Sequence, residues 1–490
     1  MLDIQSDISQ LYPNLVWQFF AKICSVPHPS KHEETLIQEI VCWAEDQKLT
    51  VCRDRIGNII IKKPATKGLE NRKTVALQAH LDMVPQKNED KQHNFTLDPI
   101  EPYIDGEWVK AKGTTLGADN GIGLSACLAV LASDNIQHGP VEILLTIDEE
   151  AGMTGASNLE PNLLEAEILL NTDSEQEGEV YVGCAGGIDS EIFLPLEKEP
   201  VPEGIKAFEL SLKGLCGGHS GVDIHLGRAN ANKLMGRFLA KYAHELEIKV
   251  AKFTGGSLRN AIPREVFLTG VIPEHKLSKL NISLEEYLYC IKQEFSSIET
   301  NLNMSLSMTD ETLPYIWTQN TQNSFINLLN AIPNGVMRMS SDFSGIVETS
   351  LNVGVITTEE EHISIISLIR SLIDSGKEEV EGILTSLSSL SGAKIEFSGQ
   401  YPGWKPDPDS EIMKLFRSIY ENMYGHKPNI MVIHAGLECG LFKKPYPHMD
   451  MISFGPTIKH PHSPDEMVEI KTVEQFWQQL TATLENIPEK

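Results

Sequence analysis

Three apolar runs before residue 174 each end on side chains that carry charge or bind cations. Residues 74–79 of TVALQAHLDMV lead into His80 and Asp82, the run 141–147 leads into Glu149 and Glu150, and 168–170 of ILLNTDSE lead into Asp173. A further acid, Asp119 in LGADNGIG, precedes the stretch 121–133, which reads as a helix with Asp119 or Asn120 placed to cap it. Short apolar runs with polar bounds suit buried strands. With amphipathic helices predicted at 15–24 and 35–46 and another strand at 58–62, the alternation predicts an α/β layer structure with a largely parallel sheet. Sites in such sheets form at the carboxyl ends of strands. Repeated strand ends of carboxylate and imidazole would bury repelling charge unless cations offset it. This donor mixture suits zinc or another borderline divalent metal.

Each group alone says little. An Asp ahead of a helix is ordinarily a cap, H-x-D is ordinarily surface polarity, and paired glutamates ordinarily face solvent; the combination carries the argument. The C-terminal KHPHSPDE adds His460 and His462, between which the residue types do not choose. His434 in MVIHAGLECG reads as structural. Gly121-Ile-Gly123-Leu-Ser-Ala126 fits the spacing of a dinucleotide fingerprint, but AKGTTLGADN stands ahead of it instead of an apolar strand, and Asp119 would repel a pyrophosphate. No phosphate-binding G-x-x-x-x-G-K-[ST] loop, H-E-x-x-H or G-x-S-x-G occurs.

Composition narrows the partners. Lys and Arg number 41 against 68 Asp and Glu, a formal net charge of -27, so nucleic acid and anionic membranes should be repelled. Eight dispersed cysteines without a C-x-x-C pair fit a reducing compartment, with Cys42 and Cys127 as core filler. The N-terminus MLDIQSDISQ lacks a basic secretory n-region, and no run of about 20 apolar residues exists. The expectation is a cytoplasmic protein.

The pattern changes near Cys184-Ala-Gly-Gly187. Strands predicted over 188–193, 207–212 and 265–271 follow, with a helix at 230–246 after GGHSGVD. The turn-rich GQYPGWKPDPD at 399–409 marks a second boundary. If the chain then returns to its first domain, the middle is an insertion able to cover a site.

Taken together, AHLDMVP, GADNGIG, TIDEEAGMTGA, LNTDSE, GGHSGVDI, GGSLRNAIPRE, HAGLECG and PHSPDE resemble the cytosolic non-specific (aminoacyl-histidine) dipeptidases. These belong with the co-catalytic zinc peptidases that include carnosinase and aminoacylase. The resemblance implies a three-layer α/β zinc-peptidase catalytic domain from residues 1–186 and 399–490, with an inserted α+β lid and dimerisation domain at 187–398. It implies two divalent cations per subunit, zinc ahead of manganese or cobalt. His80 and Asp173 would hold one, Glu150 and His462 the other, and Asp119 would bridge them. Glu149 matches the general base and Asp82 the residue that orients His80. His219 matches a lid histidine that reaches the partner's site in dimeric relatives. Asn260 and Arg370 match substrate-holding residues, and Gly436 lies in a pocket-lining segment.

That arrangement would hydrolyse amides. Two metals roughly 3.5–4 Å apart can share a water and lower its pKa toward about 7. Glu149 would take its proton and pass one to the leaving amine. Alternating side-chain directions would let the adjacent Glu149 and Glu150 divide the work. Expected partners are unblocked dipeptides, Xaa-His among them, and a second copy of the chain. The competing readings are an N-acyl amino-acid deacylase on the same scaffold, a non-catalytic metal-binding protein and, weakest, a nucleotide-dependent oxidoreductase.

Overall fold

The computed structural model describes residues 6–309 and 313–490. The chain divides into two compact units. One comprises Met1–Gly183, Pro406–Val432 and Leu437–Lys490, and the other Cys184–Lys405 with Ile433–Gly436. The second unit extends to Lys405 because the Lys394–Tyr401 strand pairs with Gly186–Pro195, and Trp404 exchanges two 2.9 Å backbone hydrogen bonds with Cys184. The short excursion Ile433–Gly436 joins it through Ala185 N donating to Ile433 O at 2.9 Å and through His434 Nε2, 2.7 Å from Ser350 Oγ.

The first unit is α/β. Its eight-stranded sheet runs in the order Thr50–Arg53, Ile59–Lys63, Val141–Thr146, Val75–His80, Ile168–Asn171, Asp450–Ser453, Glu179–Cys184, Asn429–Ile433. Its centre is parallel: Val75–His80 runs with both Val141–Thr146 and Ile168–Asn171, and Asp450–Ser453 runs with the latter. The Ile59–Lys63 strand is antiparallel to Val141–Thr146, so the expected largely parallel sheet is a mixed one. Every residue of the three central strands is buried, which explains their near-continuous apolar runs. Each fully buried Leu, Ile or Val there contributes about 1.5–3 kcal/mol. The register sets His80 opposite Thr146 and Gln78 opposite Asn171, so the three strands end together.

Helix Asn14–Cys24 buries Val16, Phe19, Phe20 and Ile23, an i, i+3, i+4, i+7 stripe, against helix Ala118–Ala132. Cys127 is buried as expected, but Cys42 is exposed. It lies off the buried Leu36, Ile37, Ile40, Trp43 and Ala44 stripe of helix Glu34–Asp46.

The second unit is α+β. Nine antiparallel strands form one sheet, with His362–Ser371 between Val347–Thr358 and Gly186–Pro195. Helices Ala231–Leu246, Gln319–Ala331 and Asp374–Ser391 contribute to its core, in which the Phe253 and Phe325 rings meet edge-on at 5.1 Å. Asn230 caps the first of these helices by accepting from Lys233 N at 3.2 Å.

Candidate metal centre

The aligned strand ends bring the acids and imidazoles of the first unit together. His80 closes its strand and is only 1 % exposed. Asp173 follows the neighbouring strand by two residues, and Glu149 and Glu150 follow the other by three and four. Ligand atoms of His80, Asp119 and Asp173 lie within 4.8 Å of one another, as do those of Asp119, Glu150 and His462, and those of His80, Glu149 and Glu150. Asp119 belongs to two groups through different oxygens. Its Oδ1 is 3.2 Å from His80 Nε2, and its Oδ2 is 3.2 Å from His462 Nε2. Asp173 Oδ1 lies 3.4 Å from His80 Nε2, and Glu150 Oε1 lies 3.0 Å from His462 Nε2. His460 enters none of these groups, so the geometry separates the two C-terminal histidines that their residue types could not.

The charge balance fits a pair of cations. Glu149, Glu150, Asp119 and Asp173 are four carboxylates in one buried region, and the His462 ring is the neighbour of Glu150 Oε1 at 3.0 Å. Burial, with the neighbouring carboxylates, pushes Glu149 well above the usual carboxylate range. Burial opposes a charged His80, but Asp173, Asp119 and Asp82 hold its pKa well above the ordinary value. Hydrogen bonding to Asp119 and Glu150 raises His462 to about 11. Both rings thus favour positive charge in the places where cations would neutralise the acids. Imidazole and carboxylate without thiolate is a donor set for zinc, manganese or cobalt.

Asp82 stands behind these donors and is fully engaged. Its Oδ1 accepts from Glu149 N at 2.9 Å and lies 3.4 Å from His80 Nδ1; its Oδ2 accepts from Ser30 Oγ at 2.7 Å and Glu150 N at 3.2 Å. His80 Nδ1 is also 3.0 Å from the Asp82 carbonyl oxygen. One carboxylate therefore fixes a ring and the backbone of both glutamates. Glu149 and Glu150 open a short helix, Glu149–Gly152, so helical rotation separates their side chains, not the expected alternation of an extended chain.

The expected cap at Asp119 or Asn120 is also replaced. Both residues have non-helical backbone angles inside Ala118–Ala132. The Asp119 carboxylate faces the two histidines, and the Asn120 side-chain amide donates to Asp173. The amides at the helix start are taken instead by Glu466, an acid the sequence did not single out. Burial raises the Glu466 pKa to about 7, against the lowering effect of these backbone donors. Glu438 was equally silent in HAGLECG. It accepts from Gln78 Nε2 at 2.6 Å and Thr146 Oγ1 at 2.9 Å, among the strands that carry the cluster. Burial pushes it to about 8. An acid inside the apolar stretch LECGLF was the one available signal. Gly123 allows close packing: a Cβ there would sit 2.6 Å from Thr172 O, beside Asp173.

The other expected residues fall in the second unit. Strand pairing places Gly218–His219 against Ala261–Ile262, beside Asn260. Asn352 Nδ2 donates to Arg259 O and Ala261 O at 3.1 and 2.9 Å, pinning the backbone on both sides of Asn260. His219 Nδ1 accepts from Gly221 N and Val222 N, which leaves the proton on Nε2. Burial and the Arg370 guanidinium, 3.5 Å from Nε2, lower its pKa and keep the ring neutral. Arg370 is buried and donates to Tyr401 Oη at 2.8 Å, while its Nε has no partner. Gly187 stands between Arg370 and Tyr401 in register, and a Cβ there would meet the tyrosine ring at 2.5–2.7 Å. Gly436 follows the buried His434, whose backbone O crowds Gly221.

Fold and site define a class: an α/β domain whose carboxylates and imidazoles gather where parallel strands end, the donor set of a metal-dependent hydrolase. The profile of peptidase family M20/M25/M40 matches residues 76–486, and the chain belongs to that family and is a peptide hydrolase. It is 57% identical over 486 residues to a cytosol non-specific dipeptidase of Escherichia coli (strain K12), covering 99% of this chain and 100% of that one. The crystal structure of an aminoacylhistidine dipeptidase from Vibrio alginolyticus superimposes with a TM-score of 0.94 at 63% identity over 100% of both chains. An aminopeptidase PepT from Bacillus cereus shares the fold, with a TM-score of 0.57 at 16% identity over 97% of this chain and 99% of that one. Among the described residues no helix is long and apolar enough to cross a membrane.

Proposed function

We propose that this peptidase hydrolyses unblocked dipeptides with two divalent cations, one held by His80 and Asp173, the other by Glu150 and His462, and both by Asp119. Dipeptide hydrolysis follows from full-length similarity to two dipeptidases at 57% and 63% identity. The observation that carries the two-cation reading is that each oxygen of Asp119 faces its own imidazole. When bound, such cations supply Lewis acidity to water and to the peptide carbonyl.

The chain's own residues do the rest. Glu149 takes a proton from the attacking water and returns one to the leaving nitrogen. Asp82 holds His80 in one tautomer and anchors the Glu149 backbone. His219, with its proton on Nε2, donates to the oxygen that gains charge as the carbonyl is attacked. Arg370 and Asn260 receive the substrate's free carboxylate, and Gly436 leaves room beside it. Zinc is the expected metal, with manganese or cobalt as substitutes. The chain works in the cytoplasm as a homodimer.

Metal quantification with a substrate panel tests this reading. Two ions per chain, loss of activity on chelation and cleavage of free but not N-acetylated dipeptides are expected. Activity indifferent to chelation would end the cation reading, and preference for acetylated substrates would point to a deacylase. His219→Ala mixed with Glu149→Ala decides whether His219 serves the partner subunit. Recovered activity in verified mixed dimers is the expected result, and none would place His219 in its own chain's site.

A further inference from the structure

We propose that Glu466 is a positioning residue for the second cation: it locks the loop bearing His462 to the backbone that presents Asp119. The proposal rests on the two-cation reading above. Glu466 is only 2 % exposed, and its carboxylate accepts four consecutive backbone N–H groups. Leu116 N and Gly117 N donate to Oε2 at 2.7 and 3.0 Å; Ala118 N and Asp119 N donate to Oε1 at 2.8 and 3.2 Å. The fourth donor belongs to the residue expected to bridge both ions. On its own side, Glu466 N donates to Ser463 O at 3.0 Å, closing the turn that follows His462.

Neighbouring strands lead into these two loops. Trp108–Ala111 pairs with Met467–Glu469, which pairs in turn with Ile458–Lys459, and the last two bracket His462. Past those strands, Glu466 spans from one loop to the other. A carboxylate with four amide donors is satisfied only as the acceptor of all four; a carboxamide in its place would turn an N–H toward N–H groups. Removing the acceptor leaves buried donors unpaired and the Asp119 backbone free to shift.

The two halves of the centre do not depend on Glu466 equally. His80 ends a buried sheet strand and Asp173 closely follows another. The His462 side chain is 51% exposed on a hairpin loop. A bridging ligand must place two oxygens at once, so a shift at Asp119 disturbs the less supported half first.

The test is Zn²⁺ alone titrated into chelator-stripped full-length chains, wild type and Glu466→Gln, with metal content measured after desalting. Wild type is expected to bind two ions. Glu466→Gln should keep the first within about threefold and bind the second about 10–100-fold more weakly. Excess Zn²⁺ should restore its dipeptidase activity, which a purely structural defect would not allow. Glu466→Asp serves if the Gln variant does not fold, with the same expectation. Equal weakening of both ions, unchanged affinities, a loss that Zn²⁺ does not relieve, or misfolding of both variants overturns the proposal. A wild-type chain that binds fewer than two ions overturns the two-cation reading itself, and is thereby distinguished from failure of the Glu466 proposal alone.

Discussion

In the first unit the chemically active side chains are carboxylates crowded around two imidazoles, whereas in the second they are a buried guanidinium, two neutral imidazoles and an amide. The first set repels itself without added positive charge. The second is short of negative charge: Arg370 Nε has no partner, and both His219 and His434 have lowered pKa values. A dipeptidase needs both kinds of surface, because its substrate brings a carbonyl to be polarised and a carboxylate to be held. The contrast teaches that the two units gather opposite electrostatic surroundings, crowded with acids in one and short of them in the other, which supports the proposed division between metal and substrate.

The largest expected effect breaks the first set. Glu149→Gln should lower kcat by about 10²–10⁴-fold while both cations stay bound, since a positioned base contributes that much. Activity near wild type would remove Glu149 from the proton path. A smaller effect sharpens the role of the second set. Arg370→Met should raise KM for free dipeptides by about 10–100-fold, the worth of a hydrogen bond to a charged group of roughly 1.5–3 kcal/mol. KM for the same dipeptides amidated at the C-terminus should hardly change, and an equal rise for both would show that Arg370 does not read the carboxylate.

The smallest effect concerns stability. Burial first, and then the Arg370 charge, lower His434 to about 3, with Nε2 2.7 Å from Ser350 Oγ. The unfolded chain takes up this proton near pH 6.5 and the folded one does not, so the contribution is complete above 6.5 and is lost as pH falls toward 3. Between pH 7 and 5 the loss is on the order of 1–2 kcal/mol. Urea midpoints should fall over that interval in wild type and fall less in His434→Asn. Parallel slopes would show that His434 is not the group responsible.

Much of the first set was legible because its signals are local. A fully buried strand needs an unbroken apolar run, and a polar side chain at its end stands out; this marked His80, Asp82, Glu149, Glu150 and Asp173. The second set was legible only through resemblance, since His219 among glycines and Arg370 in a strand carry no local mark. Glu466, Glu438 and Tyr401 were missed for a related reason. Glu466 reaches an amide 350 residues away, Glu438 an amide 360 away, and Tyr401 meets Arg370 only through strand register.

By itself the sequence determined the alternation of strand and helix, the residues at the strand ends and the anionic character of the centre. These follow from burial and charge within a few neighbours. Residue types left His460 and His462 equal and resemblance chose His462; only the tertiary structure decided that Asp119 turns an oxygen to each histidine and that Glu466 rather than a local cap holds the helix start. Those choices depend on distances between segments hundreds of residues apart, and chain packing sets such distances.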